Sequence, residues 1–321
     1  MNEISNQKIR IVFFGSAEFS IPSLDFLFNP PFDIVAIVTQ PNKASGRGKK
    51  VLTNTINQWA INHNINVFQP ERLSDNTFSR NLAELRADFF VVVAYGKILP
   101  QFLLDLPKFG AVNVHGSLLP RYRGASPVQS AILSGDNFTG VTIMKMDKGM
   151  DTGLILDQKE IEILPTATAG SLSEKIAMLG ASLLVRTLSD LFLGKITPIP
   201  QSLNNISICK KISKDDARVN WNDSSQTIER LVRAFYPWPI AWTMLKNKLQ
   251  SIRIHKAQLS DKETIGKRPG GVFIDSDNNF LVCCGDNKAL HLITIQPQNK
   301  NIMSARDYLR GNNEILISGL V

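Results

Sequence analysis

The stretch Ala111-Val112-Asn113-Val114-His115-Gly116 is typical of an open α/β sheet. Its apolar start breaks into Asn113, His115 and Gly116, which is typical of a buried strand whose end presents an amide and an imidazole to a crevice. Open α/β sheets bind their ligands at such strand ends. A lone Asn or His would more often only complete hydrogen bonds at a strand end. The surrounding sequence therefore has to distinguish the two interpretations.

Strands and helices alternate upstream of this stretch. Apolar segments at Ile9–Phe14, Ile34–Thr39 and Phe89–Ala94 predict buried strands, with helical segments between them. Phe89–Ala94 is almost purely apolar, as is typical of a strand that helices cover on both faces. This alternation predicts an α/β fold with a mainly parallel, doubly wound sheet. A single glycine, Gly15, follows the first strand, so the G-x-G-x-x-G fingerprint of a dinucleotide site has little support.

The pattern changes in the last third of the chain. Periodicity disappears at residues 197–213 among prolines, serines and asparagines, which indicates a linker. Beyond it, short strand-like segments between Ala241 and Ile295 alternate with polar turns, which predicts a small, OB-like β-barrel. We therefore expect one domain at residues 1–196, a linker at 197–213 and a C-terminal β-barrel domain at 214–321.

The composition is that of an ordinary globular protein. The chain has 321 residues, of which 43% are hydrophobic and 20% are charged, and its length fits two domains. No apolar run approaches the roughly 18 residues needed to span a bilayer, and Met1–Gln7 lacks the layout of a secretory signal. We therefore expect a cytoplasmic protein without a membrane partner. The three cysteines suit neither a disulfide framework nor a zinc site.

Positive charge is unevenly distributed along the chain. The net charge is +8, and residues 201–321 hold 17 Lys and Arg against 11 Asp and Glu, whereas residues 1–200 hold 19 against 17. The loop Asn42–Lys50 places four cations in nine positions without apolar periodicity. A basic surface attracts polyanions such as nucleic acid. Solvated protein surfaces are basic about as often, and the charge alone leaves both interpretations open.

Asn113, His115 and Asp151 are candidate catalytic residues. Asp151 follows His115 by 36 residues, and we expect all three at loop or strand ends on one side of the sheet. Neither a neighbouring nucleophile nor metal-ligand spacing accompanies them, so a covalent acyl-enzyme is not indicated. The set suits direct transfer of an acyl unit from a carrier to an amine. Asn113 would donate to the developing oxyanion, His115 would stabilise it or relay protons, and Asp151 would orient His115 or accept the amine's proton.

The residues around this set resemble a known family. Asn113–Pro127, Thr139–Met144 and Asp147–Gly153 are similar to the catalytic block of the 10-formyltetrahydrofolate-dependent formyltransferases. The resemblance implies a Rossmann-like formyltransferase domain at residues 1–196. It also implies the catalytic triad, which is Asn113, His115 and Asp151.

The same resemblance implies where the folate co-substrate binds. The residues that match the family's folate pocket are Ser117, Leu118, Leu119 and Pro120. We also expect Tyr95 and Gly96, which follow the Phe89–Ala94 strand, to line this crevice and contact the folate.

Features outside the catalytic block indicate the acceptor amine. Gly46–Lys50 resembles the loop that contacts the acceptor stem in family members acting on the methionyl initiator tRNA, and Arg233–Pro239 extends the resemblance beyond the linker. In those members a C-terminal barrel helps to hold the tRNA, which accounts for the basic excess of the last third. From side-chain chemistry we expect Arg47 at the acceptor end and Lys49 and Lys50 on phosphates, but the sequence does not separate these roles among the three residues.

The implied reaction is attack of the methionyl α-amine on the formyl carbon of 10-formyltetrahydrofolate, which leaves as tetrahydrofolate. The product is formylated initiator tRNA for translation initiation. The reaction requires no metal, and one enzyme and one tRNA need no more than a monomer.

Three alternatives remain open. Formyltransferases that act on a sugar-nucleotide amine share the catalytic block, although such a substrate needs no extended cationic surface. An RNA-binding module with a vestigial block would have a damaged triad, whereas Asn113, His115 and Asp151 are all present. Asp147 could act in place of Asp151, but only Asp151 lies in the Gly-x-Asp-Thr-Gly match.

Overall fold

The computed structural model describes residues 8–42, 44–45, 50–51, 54–246 and 250–321. The chain divides into two compact units. The first comprises Met1–Pro127, Phe138–Glu162 and Ser173–Lys210, and the second comprises Val128–Asn137, Ile163–Leu172 and Lys211–Val321. The domain limits expected at residues 196 and 214 stay a prediction.

The strands and helices up to residue 209 include those of a central sheet and of two short ladders. In chain order, the strands are β1 (Ile9–Gly15), β2 (Phe32–Val38), β3 (Ala44–Ser45), β4 (Lys50–Val51), β5 (Val67–Phe68), β6 (Phe89–Val93), β7 (Ala111–His115), β8 (Arg123–Gly124), β9 (Phe138–Lys145), β10 (Leu154–Glu162) and β11 (Ile208–Cys209). The helices are α1 (Ile21–Leu27), α2 (Thr55–Asn62), α3 (Asn76–Glu84), α4 (Gln101–Leu104), α5 (Pro127–Ser134) and α6 (Ala169–Phe192). Across the described part of the chain, no helix has the length and apolar character that crossing a membrane requires.

The central sheet is mostly parallel, with the strand order β10-β9-β7-β6-β1-β2-β5. Strands β7, β6, β1, β2 and β5 run parallel to one another. Strand β9 is antiparallel to β7, and β10 is antiparallel to β9. Every residue of β6 is buried, as its apolar sequence predicts for a strand with both faces covered. The mainly parallel, Rossmann-like α/β sheet is therefore confirmed.

Side-chain caps set the starts of two helices in this sheet domain. Asp75 caps α3, because its carboxylate accepts two backbone N–H groups of the first turn. Helix α2 begins at Thr55. The side chain of Asn54 accepts the Asn57 N–H at 2.8 Å and so caps α2 at that point.

Helix α6 determines which face of β7 is open to a ligand. Its Gly180 packs so closely on the sheet that an added Cβ would lie 2.8 Å from the Val114 side chain and 3.1 Å from that of Val141. Successive residues of a strand point to opposite faces. Val114 therefore faces α6, while Asn113 and His115 point away from it.

The second unit contains an antiparallel, strand-rich domain, as predicted. Its strands are β12 (Ala241–Met244), β13 (Ser251–Glu263), β14 (Val272–Ile274), β15 (Phe280–Cys283), β16 (Lys288–Pro297) and β17 (Met303–Ser304). Its helices after residue 220 are α7 (Ser225–Ala234), α8 (Ala305–Arg310) and α9 (Ile315–Ser318). The strand order is β12-β13-β16-β15-β14, with β17 paired to β16, and each of these pairs is antiparallel.

Residues 320–321 join the two edge strands of this sheet. Val321 and Met244 of β12 exchange two backbone hydrogen bonds of 2.9 Å. The Leu320 N–H donates to the carbonyl oxygen of Gly270, just before β14, at 2.8 Å. These bonds close the strand order into a small barrel, and they satisfy backbone groups that an open edge would leave unpaired.

Candidate active site

Strand β7 presents Asn113 and His115 on one face of the sheet, because residues i and i+2 of a strand point the same way. Both side chains are withdrawn from solvent, with exposed fractions of 9% and 6%. Asn113 differs from the expectation in lying within β7 rather than at a strand end. Its amide makes no hydrogen bond to the residues that the structure describes, which leaves its N–H donors available to a substrate.

His115 lies between a backbone carbonyl and a carboxylate. Its Nε2 is 2.9 Å from the carbonyl oxygen of Tyr122, and its Nδ1 is 3.6 Å from Oδ2 of Asp151. Because a carbonyl oxygen can only accept a hydrogen bond, we infer from the Tyr122 contact that Nε2 carries the proton. Nδ1 then faces the carboxylate, and both N–H groups of a protonated imidazole would face an acceptor. This arrangement suits a residue that takes up and releases a proton.

Asp151 reaches His115 from a tightly constrained loop between β9 and β10. Its φ of +54° lies in the left-handed region, which residues with side chains rarely adopt. Its carboxylate accepts the backbone N–H of Gly124 at 2.7 Å. Gly153 ends the loop at a position where an added Cβ would collide with the carbonyl oxygen of Lys145. The Gly-Met-Asp-Thr-Gly pattern therefore has a steric reason as well as a chemical one.

Ser117–Pro120, the stretch assigned to the folate pocket by resemblance, is held by two side chains of neighbouring strands. The Thr142 hydroxyl on β9 donates to the Ser117 carbonyl oxygen at 2.6 Å and accepts the Leu119 N–H at 3.0 Å. Gln158 on β10 donates to the Leu119 carbonyl oxygen at 3.0 Å. Sequence reasoning missed both residues. The signal that could have found Thr142 is a hydroxyl in an otherwise apolar, fully buried strand segment.

The side chains of Ser117–Pro120 divide into two pairs. Ser117 and Leu119 are buried, and the Ser117 hydroxyl donates to the carbonyl oxygen of Arg121 at 2.6 Å. Leu118 and Pro120 are partly exposed. A ligand can therefore contact this stretch through Leu118, Pro120 and the backbone, whereas Ser117 and Leu119 maintain its shape.

Tyr95 directs its side chain into the core below the sheet. The phenol is 1% exposed and lies edge-on to Phe14, with 5.5 Å between the ring centroids. Burial raises the pKa of Tyr95 to about 12, and its hydroxyl has no hydrogen-bond partner among the described residues.

The backbone of Tyr95 is bound by Gln40, which donates to the Tyr95 carbonyl oxygen at 2.7 Å. Gly96 follows with a φ of +78°, where an added Cβ would lie 2.9 Å from the same Gln40 amide. Any contribution of Tyr95 to a ligand site would therefore come from its backbone.

The predicted tRNA-binding residues lie in or beside the part of the chain that is not described. Arg47 and Lys49 fall outside the described residues. Lys50 belongs to β4, which pairs antiparallel with β3. The predicted loop Asn42–Lys50 covers all of this ladder except Val51, because two-residue strands have no measurable periodicity.

Segment 199–210, which lies within the predicted linker, is hydrogen-bonded to the candidate site. Strand β11 pairs in parallel with β8, and the Ser207 hydroxyl accepts the Tyr122 N–H at 2.8 Å. Ile199 and Ile155 exchange two backbone bonds of 2.8 Å. Gln201 donates to the carbonyl oxygen of Asp151 at 2.8 Å. Sequence reasoning missed these contacts because isolated backbone and amide bonds carry no hydrophobic period.

No group of three His, Cys, Asp or Glu side chains within the described ranges could hold a metal ion. His115 and Asp151 form a pair of facing side chains, with 3.6 Å between Nδ1 and Oδ2.

Comparison with known sequences identifies the family. Residues 9–188 match the family model described as Formyl transferase, and residues 211–313 match Formyl transferase, C-terminal domain. A curated relative from Pseudoalteromonas translucida, named methionyl-tRNA formyltransferase, is 40% identical over 316 residues, which cover 98% of each chain. A relative of the same name from Thermodesulfovibrio yellowstonii is 41% identical over 301 residues, covering 94% of this chain and 95% of the relative.

Solved structures share the fold. The sugar 3N-formyl transferase WlaRD, solved in the presence of dTDP and 5-N-formyl-THF, has a TM-score of 0.64 at 22% identity, covering 92% of this chain and 100% of that one. An N-formyltransferase from Helicobacter canadensis has a TM-score of 0.66 at 20% identity, covering 89% of this chain and 99% of that one. The family models and the sequence relatives confirm the family resemblance noted in the sequence analysis. The chain belongs to the formyl transferase family of enzymes, as do its relatives named methionyl-tRNA formyltransferase.

Proposed function

We propose that this enzyme transfers the formyl group of 10-formyltetrahydrofolate to the α-amine of methionyl initiator tRNA. The products are N-formylmethionyl-tRNA, which serves translation initiation, and tetrahydrofolate. A bond forms between the amine nitrogen and the formyl carbon, and the bond from that carbon to N10 of the folate breaks. The amine loses one proton and N10 gains one. The observation that carries the proposal is the 3.6 Å approach of Asp151 to His115 on the face that also holds Asn113.

Asn113 is assigned to oxyanion stabilisation. As the amine adds to the formyl carbon, the formyl oxygen becomes negatively charged, and a donor placed in advance stabilises it most strongly in a site shielded from water. The Asn113 side chain is 9% exposed and its amide has no competing partner in the described structure. Its N–H groups are therefore available to that oxygen.

His115 and Asp151 are assigned to proton movement and charge stabilisation. The Tyr122 carbonyl oxygen orients the imidazole through Nε2, and Asp151 faces Nδ1. A carboxylate in this position stabilises the positive imidazole that forms when His115 takes up a proton, or accepts the amine's proton directly. The proposed chemistry calls for no metal.

The folate would lie along Ser117–Pro120 and the backbone of Tyr95 and Gly96. The hydrogen bonds from Thr142 and Gln158 fix the first of these segments, and the Gln40 amide fixes the second. A rigid backbone wall with the partly exposed Leu118 beside it fits a flat, mostly apolar ring system with a few polar edge groups.

The acceptor assignment rests on different observations. The two relatives named methionyl-tRNA formyltransferase match over nearly their whole lengths, including the C-terminal domain. The basic excess of residues 201–321 suits a polyanionic acceptor. We assign Arg47, Lys49 and Lys50 to the acceptor end of the tRNA, which a sugar-nucleotide substrate would not need.

A substrate panel tests both parts of the proposal. The purified protein is supplied with 10-formyltetrahydrofolate and, in parallel, with methionyl initiator tRNA, a charged elongator tRNA or a UDP-amino sugar. We expect formylation of the initiator tRNA, far less of the elongator tRNA and none of the sugar. Formylation of the sugar without that of the initiator tRNA would contradict the assigned acceptor, and no formylation of any amine would contradict the assigned reaction.

A further inference from the structure

We propose that Gln201 is a positioning residue for Asp151. Segment 199–210, which carries Gln201, then belongs to the active site. The inference rests on the proposed function, because it assumes that the Asp151 carboxylate acts on His115 during formyl transfer.

Gln201 uses its whole amide to connect two parts of the site. Its Nε2 donates to the carbonyl oxygens of Asp151 and Gly153, at 2.8 Å each. Its Oε1 accepts from Nε and Nη2 of Arg123, at 3.1 and 2.8 Å. Both N–H groups and both lone pairs therefore have partners. A fully satisfied amide of this kind fixes the distance between the groups that it joins.

The Asp151 loop needs this support. Asp151 has a φ of +54°, and such a conformation persists in a residue with a side chain only where the surroundings hold it. The two carbonyl groups bound by Gln201 belong to Asp151 itself and to Gly153, on either side of Thr152. Gln201 therefore anchors the loop at the residue whose backbone is strained and again two residues later.

The contacts of Gln201 lead back to the same short segment that holds the catalytic side chains. Arg123 donates to Gln201. The next residue, Gly124, donates its backbone N–H to the Asp151 carboxylate at 2.7 Å. The preceding residue, Tyr122, accepts from His115 at 2.9 Å. Three consecutive residues thus set the position of His115, the Asp151 side chain and, through Gln201, the Asp151 backbone.

Segment 199–210 holds this short segment in turn. Strand β11 pairs with β8, and the approach at Gly124 is so close that an added Cβ would collide with the carbonyl oxygen of Cys209. Ile199 pairs with Ile155 on the far side of the Asp151 loop. Segment 199–210 therefore contacts both the Tyr122–Gly124 segment and the Asp151 loop. The Gln201 side chain bonds to both.

Two substitutions separate positioning from packing. Gln201→Ala removes every bond. Gln201→Glu keeps an acceptor for Arg123, loses the donors to Asp151 and Gly153, and places a carboxylate against their carbonyl oxygens. The matched control is Asn204→Ala, which removes an exposed amide of the same segment. We expect both Gln201 variants to lower kcat by up to about 100-fold, because a displacement of about 1 Å in a reacting group can cost that much. KM for both substrates should stay within about twofold, and Asn204→Ala should match the wild type.

A double-mutant cycle gives the decisive readout. In an Asp151→Asn background, Gln201→Ala should cost less than about twofold in single-turnover rate, because the carboxylate that Gln201 positions is already absent. Equal fractional losses in both backgrounds, a Gln201→Glu variant with wild-type kcat, or a loss confined to KM would each overturn the proposal. A wild-type enzyme that formylates no tRNA would instead contradict the proposed function, and the two failures are thus distinguishable.

Discussion

The carboxylate of Asp151 faces Nδ1 of His115 at 3.6 Å although β9, which leads to Asp151, leaves the sheet at the opposite end of β7. Thr142 pairs with His115 and Lys145 pairs with Val112, so β9 ends about 10 Å from His115 along the strand, at roughly 3.3 Å per residue. The loop after β9 must return across the open face of the sheet to bring Asp151 back. The contact therefore depends on how that loop is held.

Replacing Asp151 with Asn should remove its function while preserving its shape. We expect kcat to fall by roughly 10²- to 10⁴-fold, the usual contribution of general acid–base catalysis, because an amide neither accepts the proton nor balances an imidazolium. Binding of the tRNA should change little. Initial rates and equilibrium tRNA binding measure the two effects.

The matched control is Asp147→Asn in the same loop. The Asp147 carboxylate accepts from the Gly149 N–H at 3.0 Å and from the Thr152 hydroxyl at 2.7 Å. The Asp147→Asn variant should retain most of the activity. A larger loss at Asp147 than at Asp151 would transfer the catalytic role to Asp147.

Replacing Asn113 with Ala should remove the oxyanion donor. The expected loss in kcat is about 10²- to 10³-fold, as for the removal of one such donor elsewhere, with near-normal binding of tRNA. Asn81→Ala, an exposed position on α3, serves as the control. Turnover close to that of the wild type in Asn113→Ala would exclude this residue from the triad.

Replacing Thr142 with Val should loosen the proposed folate wall. The substitution keeps the shape but leaves the buried Ser117 carbonyl and Leu119 N–H without the hydroxyl, so that the free energy of unfolding should fall by roughly 1–3 kcal/mol. Denaturant unfolding measures this loss, and KM for the formyl folate should rise with it.

Thr187→Val provides the comparison for Thr142. Thr187 is equally buried, but its hydroxyl donates to the Leu183 carbonyl oxygen of its own helix, α6, at 2.8 Å. We expect a loss of about 1 kcal/mol or less and an unchanged KM. Equal effects on KM in the two variants would show that Thr142 has no specific relation to the folate wall.

Replacing Tyr95 with Phe should change how stability depends on pH. Burial raises the pKa of Tyr95 from 10.0 to about 12, so the unfolded chain releases this proton at a lower pH than the folded protein does. The stabilisation is fully present below pH 10 and is lost as the pH rises through about 12. Tyr95→Phe lacks this loss. Relative to the wild type, its free energy of unfolding should therefore rise by about 2 kcal/mol over that window.

Urea unfolding of both proteins at pH 8, 10 and 11 would follow this difference, while KM for the folate at neutral pH should be the same in both. A constant stability difference across these values would contradict the assigned burial effect. A raised KM in Tyr95→Phe would indicate a direct role of the phenol in ligand binding.

Replacing Arg47 with Ala should affect tRNA substrates specifically. A cation that contacts a phosphate or the acceptor end contributes to affinity in a salt-dependent way, and its loss should lower the salt slope of tRNA binding by about 1. Lys195→Ala, at an exposed lysine after α6, should leave that slope unchanged. Unchanged tRNA formylation in Arg47→Ala would favour a solvated surface loop at residues 42–50.

Much of the fold follows from local patterns. The limits of β7 agree with its apolar run, the cap at Asp75 starts α3, and the all-apolar β6 is buried on both faces. These features depend on neighbours within a few residues, which a sequence displays directly. The short strands β3, β4, β8 and β11 were not predicted, because two residues cannot establish a period.

Local sequence patterns were enough to identify the family, the mostly parallel sheet with its strand-rich C-terminal domain, and the candidate residues Asn113, His115 and Asp151. Motif and periodicity are local properties, and they are sufficient for those conclusions. The folded structure was needed to see that the Asp151 loop returns to His115, that Thr142 and Gln158 hold the Ser117–Pro120 backbone, and that Gln201 bonds to the Asp151 loop from the predicted linker. Each of these depends on single hydrogen bonds between segments far apart in the chain, and such bonds form only after packing has brought their donors and acceptors together.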